Sequence, residues 1–434
     1  MEINHDNLFI SLLPNEDVLA QCIHCGLCLA TCPTYSITQL ERSSPRGRIR
    51  LINAVAKCEI NISKTFAYEM DFCLDCQACE TACPAGVKYG PLVEAARVIV
   101  RDSKLESLSG RMLKKYSMKI VVSKRMLKIA AKLLYFYQNS GLQKLLHSSG
   151  IFKLFFPKLS EIDKLSPKVS RRFSSKIIPE KTLANGKTKY KAAIHTGCLM
   201  DVMFAEVNKD TVDVLSMCEC EVLNPGEQVC CGSLPGHNGD YETARKLARK
   251  NIDVFEKLNC DFLIVNSSGC GAFMKEYVHL LKDDPVYSER AKLFSFKVKD
   301  ILEFLDKEAG EIKFKSLNEK VTYHDACHHI HSRQISNEPR NILKSIPGLE
   351  LKPLDESTWC CGSAGIYNLI HYEDSMKILE RKMNNIKSTG ADIVLAANHG
   401  CIAQLKYGAE RFRVDVEVIH PVSLIKKALK KNSS

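Results

Sequence analysis

The sequence predicts a chain of mixed α+β and α/β class: a mainly helical N-terminal domain around two four-cysteine runs, followed by two repeated α/β units. Three observations carry this. The runs Cys22-x2-Cys25-x2-Cys28-x3-Cys32-Pro33 and Cys73-x2-Cys76-x2-Cys79-x3-Cys83-Pro84 have the same spacing. From residue 190 onward a second cysteine pattern occurs twice. Within each copy of it, short apolar β-like runs alternate with helical patterns.

The first domain spans 1–105. Its C-x2-C-x2-C-x3-C-P spacing is the ligand signature of two-cluster bacterial ferredoxins, in which three thiolates wrap one cubane and the fourth, beside proline, reaches the other. By that rule Cys22, Cys25, Cys28 and Cys83 hold one 4Fe-4S cluster, and Cys73, Cys76, Cys79 and Cys32 the other. Zinc knuckles are built from paired C-x2-C halves and fit two complete runs less well. Forty residues, Pro33 to Phe72, separate the runs and include the helix-like Pro45–Val55. That spacer resembles the mainly helical two-cluster domain of respiratory dehydrogenase iron–sulfur subunits. Arg46, Arg48 and Arg50 either add positive charge near the first cluster or form surface ion pairs.

Residues 106–189 form a basic helical segment and linker. From Arg111 to Lys176 sixteen Lys and Arg face only Glu161 and Asp163, concentrating the net charge of +11. Ser123–Tyr137 reads as a basic amphipathic helix, with Met126, Leu127, Ile129, Ala130, Leu133, Leu134 and Phe136 beside Lys124, Arg125, Lys128 and Lys132. Two readings stand: the stripe lies on an anionic bilayer surface, or it packs on the rest of the protein. No nucleic-acid-binding signature accompanies the charge, so nucleic acid is not an expected partner. Asn185-Gly186 marks a turn in the linker Glu180–Lys191.

The first α/β unit spans 190–315 and the second 316–434. Copy one reads His195-x2-Cys198, Cys230-Cys231-Gly232-Ser233 and Ser267-x2-Cys270; copy two reads His324-x2-Cys327, Cys360-Cys361-Gly362-Ser363 and Asn398-x2-Cys401. Strands are expected at Tyr190–His195, Phe262–Asn266, Val321–His324 and Ile393–Ala397, and helices at Tyr241–Leu258 and Tyr372–Met383. Cysteines at strand ends are where open α/β sheets place ligand sites. Four thiols per copy suffice for a further iron–sulfur cluster or a zinc ion: Cys198, Cys230, Cys231 and Cys270, then Cys327, Cys360, Cys361 and Cys401. Glycine after each pair lets the backbone approach the site. His324, His328, His329 and His331 around Cys327 are further ligand or proton-relay candidates. Cys58, Cys218, Cys220 and Cys260 fit neither pattern and read as core.

The bulk numbers agree with a soluble iron–sulfur protein. The 434 residues are 45% hydrophobic and 26% charged, and most of the 20 cysteines stand in metal-ligand spacings. No cationic signal precedes them and no apolar run of about eighteen residues occurs, so a reducing cytoplasm is expected.

The repeated pattern resembles the CCG (cysteine-rich) domains of heterodisulfide reductase subunits, but Ser267 and Asn398 replace the first thiol of the closing C-x2-C. That departure argues against the thiol–disulfide chemistry of those enzymes. The whole chain resembles the iron–sulfur subunits of bacterial glycolate oxidase, through Thr31–Tyr35, Pro45–Arg48, Cys79–Pro84, Ser268–Tyr277 and Cys360–Gly365. Related subunits serve anaerobic glycerol-3-phosphate dehydrogenase and lactate utilisation. The resemblance implies an electron-transfer subunit that is not catalytic alone. It further implies FAD-containing glycolate oxidase subunits as partners, quinone as downstream acceptor, and a cytoplasmic position peripheral to the inner face of the membrane. The chain lacks a Gly-x-Gly-x-x-Gly turn of its own, in keeping with flavin on another subunit.

Overall fold

A computed structural model describes residues 20–103, 105 and 108–430. The N-terminal domain is helical as expected, with α1 (Pro33–Thr38), α2 (Pro45–Ala56), α3 (Lys64–Asp71) and α4 (Tyr89–Asp102). Helix α2 starts where Ser44 accepts the Gly47 N–H at 3.0 Å and Pro45 takes the first position, which needs no donor. Ser63 caps α3 likewise. Ile52, Phe66, Met70, Leu92 and Ala96 form the domain's core, with the cysteine loops along its edge. Cys58 corrects an expectation: it is exposed, because the turn after α2 gives it a φ of 58° and carries its side chain off the core. Cys218, Cys220 and Cys260 are buried.

The basic segment folds into α5 (Leu108–Val122), α6 (Lys124–Asn139), α7 (Leu142–Ser148), α8 (Ile151–Phe155) and α9 (Pro157–Leu165). The apolar stripe of α6 divides into two faces. Leu127, Ala131 and Leu134 pack against Val169 and Val202. Met126, Ile129, Leu133 and Phe136 stay exposed, the last two at 68% and 67%.

The linker near Glu180 contributes an edge strand, β1 (Lys181–Thr182), which pairs antiparallel with Val222 and Leu223. The first unit then runs β2 (Tyr190–His195), α10 (Ala205–Met217), β3 (Cys220–Leu223), α11 (Tyr241–Glu256), β4 (Phe262–Val265), α12 (Ser268–Lys275), β5 (Val298–Asp300) and α13 (Ile301–Lys307). The second runs β6 (Lys320–His324), α14 (Asn337–Lys344), β7 (Glu350–Lys352), α15 (Tyr372–Thr389), β8 (Ile393–Ala396), α16 (His399–Phe412), β9 (Glu417–Ile419) and α17 (Pro421–Ala428). The sheet orders are β1-β3-β2-β4-β5 and β7-β6-β8-β9. Without β1 they are the same parallel order, so the sequence repeat is also a repeat of topology. Both units share one hydrophobic core, which joins Ile194, Val212 and Leu302 to Val321, Tyr323 and Val422. Helix α10 packs on α17, and α13 on α14.

Candidate metal centres

In each α/β unit the first and third strands are neighbours, and the chain turns to opposite sides of the sheet from them. A crevice opens at their carboxyl ends. His195 and His324 end the first strands, and Cys270 and Cys401 lie in the first turns of the helices after the third. The four thiols of each copy meet there in sequence. Cys198 and Cys230 are 3.5 Å apart, and Cys231 links Cys230 to Cys270. In the second copy Cys327, Cys360, Cys361 and Cys401 form the equivalent chain. Gly232 and Gly362 follow the pairs with φ of 91° and 86°, and each N–H points to the preceding Cys230 or Cys360 sulfur at 3.5 Å. A Cβ on Gly362 would lie 2.8 Å from the Ser375 carbonyl, so the close approach expected of this glycine is present.

The N-terminal cysteines line two adjoining cavities. The first, of about 420 Å³, is lined by Cys22, Cys25, Cys28 and Cys83, with Arg46 and the exposed Ile23 at its mouth. The second, of about 310 Å³, is lined by Cys32, Cys73, Cys76 and Cys79. Cys79, Pro45 and Tyr89 stand between them and border both. Among the described residues no three of these eight thiols fall within 4.8 Å of one another. A single zinc would hold its thiolates about 3.8 Å apart, so the spacing suits a larger inorganic core.

Polar groups around the second cavity favour a negatively charged occupant. Tyr89 donates its hydroxyl to Cys73 Sγ at 3.6 Å, and the Asp75 N–H approaches the same sulfur at 3.3 Å. Arg48 is fully buried on the cavity wall, donating to the Glu69 carbonyl and to Thr34 Oγ1. The three arginines read together in the sequence therefore separate: Arg46 pairs with Glu41 at the first cavity, Arg50 pairs with Glu59 on the surface, and Arg48 supplies a buried charge. Burial and neighbouring thiols push Cys76, Cys79, Cys327 and Cys361 well above the ordinary thiol range. Such a set becomes thiolate only when a cation takes the place of the protons.

The N-terminal domain abuts both repeats. Cys76 and Cys327 flank one apolar cluster of Phe72, Leu74, Trp359 and Cys360, which puts the second cavity beside the second repeat's thiols. Next to it, His237 of the first repeat lies 2.6 Å from Glu94 and 3.4 Å from Asp75, and Arg97 donates to the Cys73 carbonyl. Burial alone would lower His237, but Asp75 and Glu94 hold it well above the usual histidine range. The sequence reading missed this network. Its signal was Glu94 and Arg97 inside the apolar run Leu92–Val100, a place where charges are buried in pairs.

The four histidines of the second repeat do not act as a group. His328 contacts the Asp75 carbonyl at 3.2 Å, His329 binds Asp300 at 2.7 Å and His331 binds Thr81 at 2.8 Å. Only His324 faces the cysteines, with Cys361 and Cys401. Ser267 and Asn398, at the positions of the missing thiols, bond to each other across the repeats at 3.0 Å. Cys198 and Cys230 border a third cavity, of about 280 Å³, beneath Lys124, Leu127 and Lys128 of α6.

Comparison with known proteins finds three family models along the chain. A 4Fe-4S dicluster domain model matches residues 21–87, a linker-region model of the glycolate oxidase iron–sulfur subunit matches 109–166, and a cysteine-rich domain model matches 192–275 and 321–406. The chain is 40% identical to the probable glycolate oxidase iron–sulfur subunit of Bacillus subtilis, covering 95% of each chain. It is 29% identical to the glycolate oxidase iron–sulfur subunit of Escherichia coli over 96% of each. Lactate utilization protein A of Shouchella clausii is 32% identical over 51% of this chain and 93% of its own length.

Proposed function

Because the chain belongs to the family of glycolate oxidase iron–sulfur subunits, and is thus an iron–sulfur subunit of an oxidoreductase, we propose that it carries electrons from an FAD-bearing partner towards quinone. The partner oxidises a small 2-hydroxyacid, glycolate by family and lactate as the runner-up. The observation that carries the reading is the pair of adjoining four-cysteine cavities. Cys22, Cys25, Cys28 and Cys83 hold one 4Fe-4S cluster there and Cys32, Cys73, Cys76 and Cys79 the other, the proline-linked cysteine of each run crossing to the partner set. A bound cluster supplies one-electron steps, which divide the two electrons that a flavin takes together.

The chain's own residues set direction and environment. Exposed Cys25, Ile23 and Leu27 make the first cavity the docking side for the flavoprotein. Arg48, Tyr89 and the Asp75 N–H stabilise added negative charge at the second cavity. Cysteines of both repeats form further metal sites, the first of them beneath α6. No helix among the described residues is long and apolar enough to cross a membrane. Exposed Leu133, Phe136, Leu145, Leu154 and Phe155 stand among exposed Arg125, Lys132, Lys144 and Lys153, a surface suited to peripheral contact with anionic lipid.

Oxygen-free purification tests the reading. We expect brown protein with about eight irons from the N-terminal domain and no glycolate-dependent dye reduction until the flavoprotein is added. Cys83→Ser should remove the paramagnetic signal of the more exposed cluster and Cys32→Ser that of the buried one. Iron-free protein, or glycolate oxidation by this chain alone, would overturn it.

A further inference from the structure

The two repeats share a topology but differ in how their strand-end histidines are used. His195 places Nε2 3.0 Å from the Val229 carbonyl. Its counterpart His324 has no exposed surface, and neither of its ring nitrogens has a hydrogen-bond partner. A buried imidazole with two idle nitrogens is uncommon in a protein interior. His324, Cys361 and Cys401 bring a ring nitrogen and two sulfurs within 4.8 Å of one another, and among the described residues no histidine–cysteine set of the first repeat does so. Cys360, hydrogen-bonded to Cys361, stands outside that close set and offers a fourth sulfur.

The distances favour a single ion. Tetrahedral zinc with sulfur at about 2.3 Å and nitrogen at about 2.0 Å keeps its donors roughly 3.5 to 3.8 Å apart, whereas the thiolates of a cubane each bind a different iron. The charge fits as well. A dication with three thiolates and one neutral imidazole carries a net charge of −1. One buried cation lies beside these sulfurs: Lys382, fully buried and anchored on the Glu356 and Ser357 carbonyls.

We propose that the second repeat holds one zinc ion through His324, Cys360, Cys361 and Cys401, a redox-silent centre that fixes this repeat against the N-terminal domain. The inference goes beyond the electron-carrier reading and does not rest on it. Cys327 then stands outside the ligand set, facing Cys76 across the interface.

Full-length protein purified without oxygen should contain about one zinc per chain beside its iron, with one nitrogen and three sulfurs around it by zinc-edge X-ray absorption. His324→Ala should lower zinc content about tenfold or more while iron is kept, and His195→Ala should leave both unchanged. His324→Cys should restore zinc with an all-sulfur shell, which keeps the test informative if the alanine variant folds poorly. An all-sulfur shell in the natural protein, iron in place of zinc at this site, or undiminished zinc in His324→Ala would overturn the proposal. Loss of N-terminal iron with zinc intact would count against the electron-carrier reading alone.

Discussion

Single side chains tune the buried cavity through the charge they present to its sulfurs. The Tyr89 hydroxyl donates to Cys73 Sγ, and such a bond weighs more once the sulfur gains electron density. Tyr89→Phe should therefore lower the reduction potential of the buried cluster, by roughly tens of millivolts, in a titration followed by paramagnetic resonance, while the exposed cluster keeps its potential. Much at this scale was legible in the sequence. Thiol spacing is a local property, so the gathering of the eight N-terminal cysteines around two adjoining cavities in the crossed grouping could be expected from it. The burial of Arg48 was not legible, because Arg46, Arg48 and Arg50 follow one another along a single helix. Only its rotation against Glu69 and Thr34 decides which of them leaves water.

Among the elements, α2 is the one on which the N-terminal site most depends, since it carries Pro45 between the cavities and Arg48 on the wall of the second. Its cap is a local device. Ser44→Ala should cost about 1 kcal/mol in thermal unfolding of the holo protein. Gly47→Ala should cost more, because its Cβ would lie 1.9 Å from the Glu41 carbonyl oxygen. Helix α6 shows where periodicity ends as a guide. The sequence gives one amphipathic stripe and two readings; the fold packs part of the stripe inward and leaves the rest exposed. Leu127 and Ala131 pack inward, while Leu133 and Phe136, a few residues on, face solvent. A wide apolar arc cannot reveal how much of itself a neighbour will cover.

Over the whole molecule, the two repeats are tied through a shared core and a charged seam between α10 and α17. Lys426 reaches Asp210 at 2.8 Å and Asp213 at 2.6 Å. Burial alone would raise the Asp213 carboxyl, but Lys209 and Lys426 hold it below its ordinary value. A carboxyl lowered in the folded state adds stability above its unfolded pKa, about 3.9, and loses it as pH falls through the lower folded value. Asp213→Asn should thus be less stable than the natural protein by about 1 kcal/mol near pH 7. The two should converge below about pH 3 in denaturant unfolding. The outer face of the basic segment makes a separate prediction. Leu133→Glu with Phe136→Glu should abolish co-sedimentation with phosphatidylserine vesicles while leaving iron content unchanged; retained binding would place the membrane contact elsewhere.

The sequence by itself determined the helical two-cluster domain, the repeated α/β units and the sixteen patterned cysteines, because thiol spacing, strand-length apolar runs and internal repetition are local in the chain. Tertiary structure alone decided that the repeats share one core, that the second repeat's thiols lie against the buried cavity, and that His324 faces cysteines while its neighbours bind partners elsewhere. Those outcomes depend on which surfaces meet. Residues such as Asp75 and His328, 253 positions apart, come together only when separate cores dock.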